Sequence, residues 1–248
     1  MAFYAYCLLR LNRDEPWPVM QGIDDHPVFP LQCGKYTMLL SRLERAFPFT
    51  PHSIVEHGQV ISRAFESHTV LPMRFATFFN SEKQIMNLVR ENQEQLLEAL
   101  CRLRGKAEMR LKLLFATDLM DMKSETKSTE RTLSLGASDN LEDSLDTKNR
   151  ELANQLAERV TAMFRPLEQQ ISCRLIHARE LLVDCAHLIE SQKVENYQRV
   201  HSLASEHLKE WDLRISGPWP PYHFLPTSVK LPAPSAIPPR RRVSVAFR

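Results

Sequence analysis

Glycine is scarce in this chain, with 6 residues among 248. Neither GxGxxG nor GxxxxGK[ST] occurs in the sequence. Such loops need glycine so that the backbone can approach a phosphate closely, so a nucleotide-binding site of these types is not predicted. The nucleophile elbow GxSxG is missing too, which removes the signature of the α/β-hydrolases.

Excess charge and long apolar runs are also missing. The 32 Lys and Arg residues nearly balance the 30 Asp and Glu residues, so the formal net charge is +2. This balance predicts neither a nucleic-acid nor a membrane partner. The first residues carry no basic leader, and no apolar run is long enough for a bilayer span, which predicts a cytoplasmic protein.

Cysteine and histidine show no ligand spacing. The five cysteines form no CxxC pair and are odd in number, which predicts reduced thiols; Cys173 and Cys185 are expected to face one another across a hairpin without a disulfide. The nine histidines complete no metal pattern, and His201 and His207 are interpreted as surface residues. An enzyme is therefore not predicted, and no catalytic, cofactor or metal residue is assigned; an enzyme using the 173–187 hairpin is the distant alternative.

The first 104 residues predict an α+β domain. Strands are expected at 3–10, Tyr36–Leu43 and Thr69–Phe79, with a proline-rich loop over 14–30. A helix over 52–67 starts at Thr50-Pro51, and its apolar stripe comprises Ile54, Val60, Ile61, Ala64 and Phe65. A longer helix over 82–104 starts with the capping pair Ser81 and Gln84, and Gly105 is placed to end it.

Residues 105–224 predict a second domain. The pattern reads strand, helix, strand, strand, helix, strand, which is the βαββαβ order of a ferredoxin-like fold with an antiparallel sheet. Residues 118–147 are polar and without periodicity, which predicts a flexible insertion. Residues 225–248 are rich in proline and arginine and are expected to form an extended or disordered basic tail. The chain is thus predicted to be α+β, with two domains of mostly antiparallel sheets.

Two separated stretches carry a resemblance. The first pairs His57-Gly58-Gln59-Val60-Ile61 with Thr69-Val70-Leu71-Pro72-Met73-Arg74-Phe75-Ala76-Thr77-Phe78-Phe79. The second is Gly217-Pro218-Trp219-Pro220-Pro221-Tyr222-His223-Phe224, whose prolines exclude a helix and whose aromatics offer rigid apolar surface. Together they resemble the gas vesicle protein family GvpL/GvpF, which typically has glycine at position 76 and often an acidic residue at position 62.

The resemblance implies a non-enzymatic accessory or structural protein of gas vesicle assembly, located at the gas vesicle or in the cytoplasm. It implies partners, namely the small hydrophobic shell protein and other gas vesicle proteins, and no cofactor. The alternative is a ferredoxin-like small-molecule or regulatory binding protein, because that fold hosts many functions.

The signature residues are the expected sites of interaction: Leu71, Pro72, Arg74, Phe75, Gly217, Pro218, Trp219, Pro220, Pro221, Tyr222 and Phe224. For the proline-rich segment, docking onto its own domain is the favoured interpretation. For Arg74, pairing with a carboxylate at the edge of the core is favoured over a partner contact.

Overall fold

The computed structural model describes residues 2–11, 16–44, 47–115, 151, 155–175, 181–209, 211–227 and 229. The chain divides into two compact units. The first comprises 1–104 together with the segment that begins at Pro220, and the second comprises Gly105–Trp219. This boundary differs from the predicted one, which places 220–224 in the second domain.

The first unit is built on one antiparallel sheet. Its strands are β1 (Ala2–Leu9), β2 (Met20–Gln21), β3 (Pro27–Cys33), β4 (Tyr36–Leu43), β5 (Leu71–Pro72) and β6 (Phe78–Phe79). The order is β2-β3-β4-β1-β5, and β6 also pairs with β1. The predicted loop over 14–30 is wrong at β2 and at the start of β3. Pro30 is tolerated there because this part of β3 pairs only with β4 among the described strands, so its other edge needs no amide donor.

Helix α1 (Pro51–Phe65) covers one face of this sheet. Thr50 caps it: its hydroxyl accepts from the amide of Ser53, and Pro51 occupies the first turn, as predicted. Its buried side is Ser53, His57, Val60, Ile61 and Ala64, packed against β1 and β4 residues such as Tyr4, Tyr6 and Leu39. The predicted stripe is wrong at Ile54, which is 54% exposed.

The helix predicted over 82–104 is two helices, α2 (Glu82–Glu91) and α3 (Gln93–Leu103). Asn92 separates them with non-helical angles, φ −120° and ψ 23°. Its side-chain amide donates to the carbonyl of Leu88 at 2.7 Å, which satisfies a helix-end acceptor and competes with helix continuation. Gly105 follows α3 in the left-handed conformation at φ 67°, as expected.

The second unit is a four-stranded sheet with two helices. Its elements are β7 (Lys106–Phe115), α4 (155–164), β8 (Glu168–Leu175), β9 (Leu181–Glu190), α5 (Val194–His207) and β10 (Trp211–Trp219). The sheet order is β10-β7-β9-β8, and every pair is antiparallel. One core cluster joins apolar residues of β7, β9 and β10 to α4 and α5, with Phe164 and Tyr197 fully buried.

These elements confirm an α+β chain with antiparallel sheets. The insertion over 118–147 lies outside the described residues; of the predicted tail over 225–248, only 225–227 and 229 are described, and Val229 is buried. Cys173 and Cys185 face one another in the β8–β9 register, but Cys185 is disulfide-bonded, contrary to expectation. Within the described residues, no helix combines the length and apolar character needed to cross a membrane.

Candidate functional site

The first signature stretch forms a tight turn beside β1 rather than one continuous strand. Leu71 and Pro72 pair with Leu8 and Cys7, and Phe78 and Phe79 pair with Tyr4 and Phe3. Between them the chain turns at 74–77, where the amide and the hydroxyl of Thr77 donate to the Arg74 carbonyl at 3.2 and 2.6 Å. The predicted strand Thr69–Phe79 is therefore wrong in its middle.

A buried network of hydrogen bonds holds this turn. The Tyr4 hydroxyl lies 2.8 Å from Nδ1 of His57, and the amide of Ala76 donates to the same hydroxyl oxygen at 3.3 Å. Nε2 of His57 lies 3.2 Å from the carbonyl of Met73. One proton arrangement satisfies all three contacts: Nε2–H donates to Met73, and Nδ1 accepts the Tyr4 proton. Helix α1 is thereby tied to Met73, just before the turn, and through Tyr4 to Ala76 within it.

Burial keeps both members of the network uncharged. It lowers the pKa of His57 to about 4, against an ordinary value of 6.5. Burial also raises the pKa of Tyr4 above its ordinary value. His57 is only 4% exposed and Tyr4 is fully buried, so this pair positions the turn and is closed to a substrate.

The signature side chains of this turn have different environments. Leu71 and Pro72 are buried. The ring of Phe75 is partly buried, with its centroid 4.8 Å from that of Phe49 and 5.6 Å from that of His57. Arg74 is exposed, and within the described part of the chain it has no carboxylate partner. The expectation that Arg74 is paired at the core edge is wrong, because the turn directs it outward.

Ala76 occupies the position where the family resemblance predicts glycine. Its φ is +62°, in the left-handed region that residues with a Cβ rarely adopt. The conformation is kept because the Ala76 amide donates to Tyr4 and the side chain is buried. A backbone requirement thus accounts for the glycine expected at this position.

The second signature stretch begins at Gly217, where its backbone lies close to β7 of the second unit. The Gly217–Pro218 peptide bond is cis, and φ of Gly217 is +124°. A Cβ on Gly217 would lie 2.8 Å from the Glu108 carbonyl oxygen and 2.9 Å from Sδ of Met109. Glycine is therefore required by contact with β7 as well as by its backbone angle. The prolines are tolerated because β10 lies at the edge of the sheet as described.

The remaining signature residues are divided between buried and exposed positions. Pro220, Pro221 and Phe224 are buried, and the Arg102 guanidinium donates to the Phe224 carbonyl within the first unit. Trp219 is 44% exposed, and its indole N–H donates to the Ser216 hydroxyl at 3.1 Å. Tyr222 is 36% exposed.

The histidines considered from the sequence have local structural roles. Nε2 of His201 contacts the Leu213 carbonyl, and Nδ1 of His207 contacts the Leu203 carbonyl, each at 2.8 Å. His187 is buried, with Nδ1 2.6 Å from the Tyr197 hydroxyl. Across the part of the chain described, no group of three or more His, Cys, Asp or Glu side chains is arranged to hold a metal.

The sequence matches a known protein family over almost its whole length. Residues 2–226 match the family model described as gas vesicle synthesis protein GvpL/GvpF. The chain belongs to the GvpL/GvpF family. The resemblance seen in the two signature stretches is therefore confirmed.

Curated relatives and solved structures agree with this assignment. The chain is 23% identical to gas vesicle protein L1 of Halobacterium salinarum, covering 90% of both chains. It is 22% identical to gas vesicle protein F1 of the same organism, over 71% of this chain and 70% of that one. The crystal structure of GvpF from Anabaena sp. PCC7120 is similar with a TM-score of 0.73 at 19% identity, covering 92% of this chain and 99% of that chain. The crystal structure of GvpF from Microcystis aeruginosa is similar with a TM-score of 0.72 at 18% identity. The match covers 91% of this chain and 99% of that chain.

In this GvpL/GvpF chain, sequence reasoning did not assign roles to Tyr4 and His57. A signal for His57 was present, because it lies four positions after Ser53 and three before Val60, on the buried stripe of α1. A polar side chain on such a stripe predicts a buried hydrogen-bond partner. The identity of that partner, Tyr4 on β1, has no local signal.

Proposed function

We propose that this chain is a non-enzymatic accessory protein of gas vesicle assembly. The match of the family model to residues 2–226 is the observation that supports the role. The printed names of the relatives, gas vesicle proteins L1 and F1, support it too. The proposed location is the gas vesicle or the cytoplasm around it.

The proposed mode of action is protein–protein contact with the small hydrophobic shell protein and with other gas vesicle proteins. Trp219 and Tyr222 are the signature aromatics with exposed surface, whereas Phe224 is buried and serves the first unit. An aromatic ring held in place by its own hydrogen bond, as Trp219 is by Ser216, offers apolar area with little entropy to lose on binding. Leu71 and Pro72 form β5, and Phe75 lies partly buried in the turn that follows, so we assign these three residues a structural role in the first unit.

The test uses single variants of the full chain co-expressed with its shell protein. Trp219→Ala is expected to reduce the amount of co-purified shell protein about tenfold, with little change in melting temperature, since an exposed aromatic anchor contributes mainly to binding. Tyr222→Ala is measured in the same way. Leu203→Ala is the matched control, because Leu203 is 57% exposed in the same unit as Trp219 and lies outside the signature.

Three results separate the interpretations. Lost binding at unchanged stability supports the interface. Lost stability with proportionate loss of binding assigns Trp219 a structural role. Full binding by both signature variants overturns the contact through these residues.

We also infer that the second unit is ferredoxin-like. The order β7, α4, β8, β9, α5, β10 and the sheet order β10-β7-β9-β8 support this assignment. The alternative function, binding of a small molecule, has less support, because the matching family model is described as one of gas vesicle synthesis. A cavity of about 270 Å³ bounded by Asp24, His52 and Glu56 among others, and one of about 180 Å³ at Arg42, are both smaller than the ~300–1,000 Å³ typical of pockets for drug-sized ligands.

A further inference from the structure

Arg42 lies on the first sheet over two aromatic rings. Its Cζ is 5.6 Å from the ring centroid of Phe3 and 5.7 Å from that of Phe29. Phe3 is the register partner of Arg42 on β1, and Phe29 is on β3. The two rings are 6.4 Å apart at 71°, an edge-to-face pair. This geometry fixes the guanidinium by cation–π contact on both rings.

Among the described residues, the Arg42 guanidinium has no acceptor. Arg42 is exposed, and in the described residues it makes neither an ion pair nor a side-chain hydrogen bond. A guanidinium carries five N–H donors, so a fixed one without an acceptor has its hydrogen-bonding capacity available for a ligand. A cavity of about 180 Å³ adjoins it, lined by Pro27, Phe29 and Arg42.

Three other arginines among the described residues have acceptors. Arg110 donates to both carboxylate oxygens of Asp184, at 2.8 and 2.6 Å. Arg214 pairs with Asp212, and Arg102 donates to the Phe224 carbonyl. Arg74 is exposed and unpaired in the described part, as Arg42 is, but no aromatic ring holds it. Arg42 therefore combines a fixed orientation with unused donors.

We propose that Phe3, Phe29, Arg42 and Pro27 form a docking site for an acidic side chain of a partner protein. The carboxylate receives two parallel hydrogen bonds from the guanidinium, the geometry that arginine offers and lysine does not. An apolar side chain next to the acidic one in the partner fills the cavity against Phe29 and Pro27. The choice of partner rests on charge complementarity, because this lining carries one positive charge and no negative one.

The inference goes beyond the proposed function, since it specifies the chemistry of a contact and does not depend on which protein supplies it. A direct test uses nuclear magnetic resonance on the full chain. The probe is the peptide acetyl-Ala-Leu-Glu-Leu-Ala-amide, titrated to about 10 mM, which detects dissociation constants near 1 mM. The matched probe replaces glutamate with glutamine, and acetate is titrated separately.

The glutamate peptide is expected to shift the Arg42 side-chain resonance and the amides of Phe3 and Phe29, with at least about tenfold weaker binding of the glutamine peptide. Arg42→Gln is expected to weaken binding by a similar factor, and Arg42→Lys to restore little of it. Arg63→Gln is the matched control, because Arg63 is exposed on α1 in the same unit and lies outside the proposed site, and it should bind as the wild type does.

Several results would overturn the site. They are equal binding of the two peptides, shifts from acetate as large as those from the glutamate peptide, or no shift at Arg42. If Arg42→Gln fails to fold, the two peptides on the wild-type chain still decide the question. None of these results bears on co-purification with the shell protein, so failure here leaves the proposed function intact.

Discussion

The two signature stretches both contain a residue in left-handed backbone conformation, but they hold it in different ways. At Ala76, with φ +62°, side chains from β1 and α1 set the turn through Tyr4 and His57. At Gly217, with φ +124°, the backbone itself lies against β7 and leaves no room for a Cβ. The first stretch therefore tolerates alanine at a strained position, whereas the second depends on glycine.

The largest expected effect is that of Gly217→Ala. The new Cβ would collide with the Glu108 carbonyl oxygen at 2.8 Å and would occupy a backbone region that L residues rarely adopt. We expect a loss of about 4 kcal/mol from the unfolding free energy, the sum of backbone strain and overpacking. Urea unfolding followed by circular dichroism measures it.

Gly34→Ala separates the two contributions to that loss. Gly34 has φ +66°, but a Cβ there would meet nothing within 4 Å, so it reports backbone strain alone. We expect Gly34→Ala to lower the free energy of unfolding by about 1 kcal/mol. Equal costs for the two variants would contradict the account of a collision with β7.

The next largest expected effect is a loss of stability of the first unit at acid pH, caused by protonation of His57. Its folded pKa of about 4 lies below the ordinary value of 6.5. Stability from the neutral ring is therefore fully present above pH 6.5 and is lost as the pH falls toward 4, by at most roughly 3 kcal/mol. Hydrogen exchange of α1 between pH 7 and 4.5 measures this loss.

His187 provides the internal control in the second unit, because burial lowers its pKa to about 4 as well. The variant His57→Gln should flatten the pH dependence of exchange in α1 and leave that of α5 unchanged. An unchanged slope in α1 would show that His57 is not the titrating group.

The smallest expected effect is that of Ala76→Gly, which should stabilise the first unit by about 0.5 kcal/mol. Removing the Cβ relieves the left-handed strain, and the greater freedom of glycine in the unfolded chain offsets part of the gain. Thermal unfolding at pH 7 measures the change. A clear loss of stability would mean that the buried methyl group contributes more by packing than the strain costs.

Local chemistry was sufficient to predict several elements. Thr50-Pro51 marked the start of α1, and Gly105 marked the end of α3, because capping depends on adjacent residues. Residues Met109 to Leu113 alternate between apolar and charged side chains, the pattern of a strand with one buried face, and they lie at the centre of β7. The glycine requirement at position 76 was visible as a departure from the family pattern, though its cause was not.

Long-range contacts explain what could not be predicted. The turn at 74–77 depends on Tyr4, which is 72 positions away from Ala76 in the chain. The sequence of the strand itself, rich in β-branched and aromatic residues, favours an uninterrupted strand. Arg74 points outward as a result of that turn, so its environment was unpredictable for the same reason. At the break, the Asn92 side chain makes a hydrogen bond to the Leu88 carbonyl within an otherwise helical pattern, so the periodicity of the sequence gives no signal for it.

The first unit consists of two segments that are separated along the chain by the whole second unit, so its synthesis ends after that of the second unit. Phe224, whose carbonyl receives the Arg102 guanidinium, belongs to the same unit as residues 1–104 but follows the whole of Gly105–Trp219. On the ribosome, all of the second unit is translated before this buried phenylalanine emerges. The unit whose synthesis begins first is thus the one completed last.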